Sequence, residues 1–270
     1  MAEREGKSNL LSDEGLSRRG AVVVAEVEIR KIKDIDLKGG TVIAAFPSVG
    51  LVSTITATYL ITNLPVDQVT ALESADFPSL SMIYAKKPKF PARVYAARSP
   101  KVAIFICEMP LPMVTHRPLA YALLQWAKDH GISQIVPLEG LPVDPDAPIT
   151  EAPGVWAVAS TDRARAALEK SGIQQLESGI ISGVTAVLLN EGRYRNVDVI
   201  ALLAEARPVL PDATAAVSLV RALDLLVPEL KIDLKPLQEQ AKALEDQLTR
   251  LKQQARLTAP LEPIPSDMYR

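Results

Sequence analysis

Five times between Thr41 and Ala204 the chain sets down five or six consecutive residues that are nearly all apolar or β-branched: Thr41–Phe46, Val102–Cys107, Gln134–Leu138, Val155–Ala159 and Val199–Ala204. A similar run, Ala21–Val27, precedes them. A strand with one wet face alternates apolar and polar residues, whereas a strand apolar at every position must be covered on both faces. Amphipathic segments lie between the runs. Leu51–Asn63 follows the turn Pro47-Ser48-Val49-Gly50 and is closed by Pro65; Pro118–His130 has proline in its first turn and stops at Gly131; Pro211–Leu226 opens on Pro-Asp and ends before Pro228. Alternation of this kind predicts an α/β fold, a three-layer α/β/α sandwich around a mostly parallel sheet. Residues 66–98, with strand-like runs at Val69–Glu73 and Arg93–Ala97, read as an antiparallel excursion that makes the sheet mixed.

Composition changes mark four parts. Residues 1–20 are polar, of mixed charge and without period, and read as a mobile arm. The α/β domain spans 21–232. Beyond it, Leu230, Leu234, Leu237, Ala241, Leu244, Leu248, Leu251 and Ala255 step alternately by four and three, a heptad seam. With Asp233 as cap and Pro236 in the first turn, a helix over 233–257 would be roughly 37 Å long. Its narrow stripe fits a coiled-coil contact between copies through Leu237, Leu244, Leu248 and Leu251; an ordinary helix laid on the core is the simpler alternative. Residues 258–270 carry prolines at 260, 263 and 265, which forbid helix and favour an extended tether reaching roughly 40 Å.

Thirty basic against thirty-two acidic residues leave a formal charge of -2, which offers no positive field to a phosphate backbone, so nucleic acid is a poor partner. One cysteine, Cys107, excludes a disulfide framework within the chain and fits a reducing compartment. With two histidines no metal-ligand spacing occurs, and no Walker loop or G-x-G-x-x-G is present, so no metal and no cofactor is expected. The N-terminus lacks the apolar core of a signal peptide and no run is long enough to span a bilayer, which predicts a cytoplasmic protein with no membrane partner.

Chemistry, if any, would lie at the carboxyl ends of the strands, where open α/β sheets place their crevice. Glu108, Glu139 and Glu205 fall there, and His116 lies a short loop beyond Glu108. Converged on one pocket, two carboxylates and a histidine could do acid/base work on a nucleoside, a peptide or a phosphorylated metabolite, and Gly179–Gly183 before a helix could hold an anion. Such glutamates as often pair with arginine or cap a helix, His116 fits a solvated loop, and Cys107 fits a small buried hydrophobe.

The sequence ends on Met268-Tyr269-Arg270, and a proline tether has no packing reason to finish on a hydrophobic residue and a tyrosine. Hydrophobic-Tyr-any at a C-terminus resembles the HbYX motif with which proteasome activators and assembly chaperones enter pockets between α subunits of the core particle. That resemblance implies Met268 as the hydrophobic anchor, Tyr269 as the ring that fills the pocket mouth, and Arg270 as the source of a carboxylate for a pocket lysine. The segment Thr41–Ile61 in turn resembles the opening strand-loop-helix of the archaeal proteasome assembly chaperone family, whose fold is nucleoside-phosphorylase-like. Agreement continues at Phe77-Pro78, Tyr84, Val94-Tyr95, Val102–Glu108, Leu138-Glu139-Gly140, Ile181–Val184, Ala204-Glu205-Ala206 and Pro211–Ala216, covering about 30–228. In this chain the first loop, Phe46–Gly50, lacks a further glycine found in many relatives. The resemblance implies a non-enzymatic, ATP-independent homo-oligomer that docks several tails on the α ring. A coiled-coil scaffold unrelated to proteolysis is the reading from the seam alone.

Overall fold

The structure, a computed structural model, describes residues 26–144, 150, 152–208, 211–239 and 241. In chain order they form β1 (Glu28–Lys31), β2 (Thr41–Ala45), α1 (Val52–Asn63), β3 (Asp67–Glu73), β4 (Met82–Tyr84), β5 (Lys87–Lys89), β6 (Ala92–Arg98), β7 (Lys101–Cys107), α2 (His116–Asp129), β8 (Gln134–Pro142), β9 (Val155–Ala159), α3 (Asp162–Ser171), β10 (Gln174–Gln175), α4 (Gly183–Arg195), β11 (Asp198–Ala206) and α5 (Ala213–Leu226).

All five residues of β2 are buried, and β2 sits mid-sheet in the order β1-β3-β6-β7-β2-β8-β11-β9-β10. The central strands β7, β2, β8 and β11 run parallel. β1, β3 and β6 extend the sheet antiparallel on one side, and β9 is antiparallel to β11 on the other. β4 and β5 form a separate hairpin. The mixed sheet is thus parallel at its centre, where the apolar runs lie.

Two cores confirm the three layers. Ile43, Ile104, Ile106, Leu138, Ile200 and Leu202 face α1, α3 and α5 through Leu60, Leu168 and Leu219. Val42, Ala44, Phe105, Cys107 and Ile135 face α2 and α4 through Leu119, Leu123, Trp126 and Leu188. Successive residues of one strand divide between the cores, as the two-residue period of a strand requires. The Trp126 indole, itself buried, donates from Nε1 to Thr70 Oγ1 at 3.0 Å and so ties α2 to β3.

The element ends have identifiable causes. Thr161 caps α3 through Ala164 N–H at 3.0 Å, and Asp212 caps α5 through Ala215 N–H at 3.0 Å. Two sequence boundaries move. α2 begins at His116, two residues before the expected proline. α1 begins at Val52, because Gly50 and Leu51 both take positive φ (62° and 51°) in a turn over the sheet edge. The expected strand Ala21–Val27 lies outside the described residues through residue 25, and the edge strand observed there is Glu28–Lys31, exposed along its length. No helix among the described residues is long and apolar enough to cross a membrane.

Candidate functional site

β7, β2, β8 and β11 end on one side of the sheet, so the carboxyl-end crevice expected from sequence exists as an edge lined by Phe46–Gly50, Glu108, Glu139-Gly140 and Ala206. The two candidate carboxylates Glu108 and Glu139 do not converge there. Ile106 belongs to the core under α1, and Glu108 follows it by two residues toward the same face. Leu138 belongs to that core as well, so Glu139, one residue on, points to the opposite face and meets α4. The sheet itself separates the two carboxylates.

Glu108 forms a buried ion pair with Arg93, whose Nη1 lies 2.5 Å from Oε2, with side chains 7% and 4% exposed respectively. Though close, that contact is not aligned as a hydrogen bond. Arg93 also donates from Nε to Tyr95 Oη at 3.1 Å and from Nη1 to the Phe90 carbonyl at 2.9 Å, and its guanidinium lies over the Tyr84 and Tyr95 rings. Tyr84 donates its hydroxyl to Glu108 Oε1 and so pins the β4–β5 hairpin to β7. Burial acts against the Arg93 charge, but the Tyr95 hydrogen bond and the Glu108 charge outweigh it and raise its pKa. Glu108 is therefore a structural partner of Arg93 and Tyr84. Arg93 and Tyr84 were not among the candidate site residues, although an arginine inside an otherwise apolar strand, Ala92–Ala97, was the available signal.

Glu139 has a different setting. Thr185 in the first turn of α4 donates Oγ1 to Glu139 Oε1 at 2.5 Å. Burial pushes the carboxyl up to about 7, with that hydrogen bond opposing the shift. Glu205, on the neighbouring strand, instead accepts the Gly154 N–H at 3.1 Å. His116 is the first residue of α2 and its Nε2 contacts the Leu111 carbonyl at 3.3 Å. Among the described residues no hydrogen bond or ion pair joins any two of Glu108, Glu139 and His116. Cys107 is buried, its thiol pushed up to about 12 by burial, which leaves it a core residue with almost no thiolate at neutral pH. Gly179–Gly183 does precede a helix, α4, and Ser182 at its N-cap makes no side-chain cap.

The crevice floor is also shut. A methyl group on Gly140 would overlap the Val49 carbonyl oxygen, so the β2–α1 loop rests directly on β8. Gly140→Ala is expected to destabilise the fold by about 1–3 kcal/mol, measured by urea unfolding, because a backbone carbonyl cannot swing aside as a side chain could.

Large apolar side chains are exposed at this end: Leu51, Leu80, Ile83, Val114 and above all Met113, which is 86% exposed. The start of the C-terminal helix is described at residues 235–239 and 241. Leu237 and Ala241 are buried there against Tyr59 of α1 and Ala213, Val217 and Val220 of α5, and Tyr59 donates its hydroxyl to the Asp233 carbonyl. Leu237, expected between copies, thus packs within its own chain, because α1 and α5 leave an apolar outer seam for it to cover. Asp233 Oδ1 accepts the Lys235 N–H at 3.0 Å, as a helix-start residue does. Leu244, Leu248, Leu251, Met268, Tyr269 and Arg270 lie outside the described residues, as does the arm 1–20.

Comparison with known proteins agrees with this architecture. The family model described as PAC2 family matches residues 42–252. The crystal structure of Pyrococcus furiosus PbaA, described as an archaeal homolog of proteasome-assembly chaperone, superposes with a TM-score of 0.76 at 25% identity, covering 86% of this chain and 93% of that one. Pyrococcus furiosus PbaB, described as an archaeal proteasome activator, has the same fold, with a TM-score of 0.71 at 24% identity over 84% of this chain and 99% of its own. By sequence, the Methanocaldococcus jannaschii protein MJ0106 is 24% identical over 220 residues, 82% of this chain and 88% of that protein.

Proposed function

The chain belongs to the PAC2 family, and from that membership we propose that it is a proteasome assembly chaperone or activator-like factor that works without ATP and without catalysis, docking Met268-Tyr269-Arg270 into pockets of the core particle α ring. The observation that carries this reading is the likeness to PbaA, which extends over nearly the whole described fold at 25% identity. Separation of Glu108 from Glu139 by the sheet supports the non-enzymatic part.

Docking through the tail has a simple physical basis. An aromatic side chain buries a large area with few rotors to freeze, and a terminal carboxylate is a directional, charge-assisted acceptor. One such tail binds weakly, so the reading includes a homo-oligomer that presents several at once and gains by multivalency. Leu244, Leu248 and Leu251 continue the seam beyond Leu237, and the exposed Met113, Val114, Ile83, Leu80 and Leu51 give a second apolar surface for self-association. A cytoplasmic location goes with this role.

The test is capture of purified core particle by the full chain. Tyr269→Ala, deletion of 268–270, or a short extension after Arg270 that displaces the carboxylate should each cut capture at least ~10-fold, as loss of a buried aromatic anchor or a charged hydrogen bond does. Far-UV circular dichroism should be unchanged. Undiminished capture by all three would overturn the proposal.

A further inference from the structure

We infer that the groove between α4 and the β9–β10 edge of the sheet is a binding site for a small zwitterion, a free α-amino acid with a branched aliphatic side chain. β10 is only two residues long, so the chain leaves the sheet at Leu176 and crosses toward α4, leaving the lower half of β9 uncovered on that side. A groove of about 350 Å³ results, floored by Val158, Leu176 and Leu189. That volume is at the small end of ligand sites, which run roughly 300–1,000 Å³.

The walls carry opposite charges that do not meet. Glu177 stands on the loop after β10, while Arg193 and Asn190 stand on one side of α4, three residues apart. None of the three side chains has a hydrogen bond or ion pair among the described residues, although Glu191 and Arg195 on the same helix pair with each other at 2.8 Å. A guest that satisfies both walls needs an anionic group for Arg193 and Asn190, a cationic group for Glu177, and an apolar body for the floor. A guanidinium takes a carboxylate in a two-pronged grip, and an ammonium is a compact donor for a single carboxylate. An α-amino acid carries both groups on one carbon, with its side chain free to lie on Val158, Leu176 and Leu189. A phosphate dianion would be repelled by Glu177, and the lining offers no aromatic ring on which a nucleobase could stack.

This inference does not depend on the proteasome reading, so either can fail alone. Ligand-observed NMR titration of the full chain with L-leucine should give saturable binding at millimolar concentration. L-leucinamide, which lacks the carboxylate, and N-acetyl-L-leucine, which lacks the ammonium, should each bind about 10-fold more weakly, the size of one lost charge-assisted contact. Arg193→Met should impose the same loss on L-leucine, while Glu177→Gln should weaken L-leucine and leave N-acetyl-L-leucine no weaker than before. Both side chains are exposed, so the variants are expected to keep the fold, with wild-type thermal unfolding as the check. Absence of saturable L-leucine binding, binding indifferent to Arg193→Met, or binding of a leucine dipeptide where leucine itself fails would each overturn the assignment.

Discussion

Arg93→Met is expected to lower the unfolding free energy at pH 7 by about 3–5 kcal/mol, because it leaves a carboxylate buried without its counter-charge. Both side chains of the pair are almost fully buried, so solvent cannot take over the charge. The loss reaches further than the pair. Arg93 also holds the Phe90 carbonyl and the Tyr95 hydroxyl, and Glu108 holds Tyr84 of the hairpin. Domains of this kind are stable by roughly 5–15 kcal/mol, so a change of that size would bring the variant close to unfolding at 37 °C. Arg93→Met combined with Glu108→Gln should recover a large part of the loss, since a neutral amide is far cheaper to bury than an unpaired anion. Urea unfolding of wild type, both single variants and the double variant forms the cycle that isolates the coupling. A loss in the double variant equal to the sum of the two single losses would mean that Arg93 and Glu108 are not coupled and that the ion pair contributes nothing beyond its packing.

The same network marks the boundary of what sequence made legible. β2, β7 and β11 were readable because strands covered on both faces must be apolar throughout, and few arrangements besides a buried parallel strand produce so short an unbroken run. α3 was not, since its sequence DRARAALEKS buries only Ala164 and Leu168, too sparse an apolar stripe to announce a helix. The β4–β5 hairpin was marked only at Tyr84, through the family resemblance, and its turn was silent: it puts Ala85 and Lys86 at positive φ, where glycine or asparagine would have been the signal. Glu108 was correctly assigned to a strand end. Its partner was not identifiable, because Arg93 reaches it only through the antiparallel β6–β7 register. Leu237, at the start of the heptad pattern, packs on α1 and α5, a choice of partner that heptad spacing alone cannot make.

Glu139 allows a sharper experiment, since its environment changes stability with a known sign. In the folded chain burial pushes this carboxyl up to about 7, from an ordinary 4.5. Between those values the native state keeps a proton that the unfolded chain has released, so stability falls as pH rises through the window and levels off above about 7. The pKa difference corresponds to about 3 kcal/mol for this one group. Glu139→Gln keeps an acceptor for the Thr185 hydroxyl but cannot ionise, so near pH 4, below the ordinary 4.5, it should match wild type. At pH 8 it should be the more stable protein by about 3 kcal/mol, because it never has to bury an anion. Urea unfolding of both proteins at pH 4 and pH 8 isolates the effect, since every other carboxylate is common to the two proteins. Parallel stability profiles would mean that the folded chain holds Glu139 as an anion without penalty.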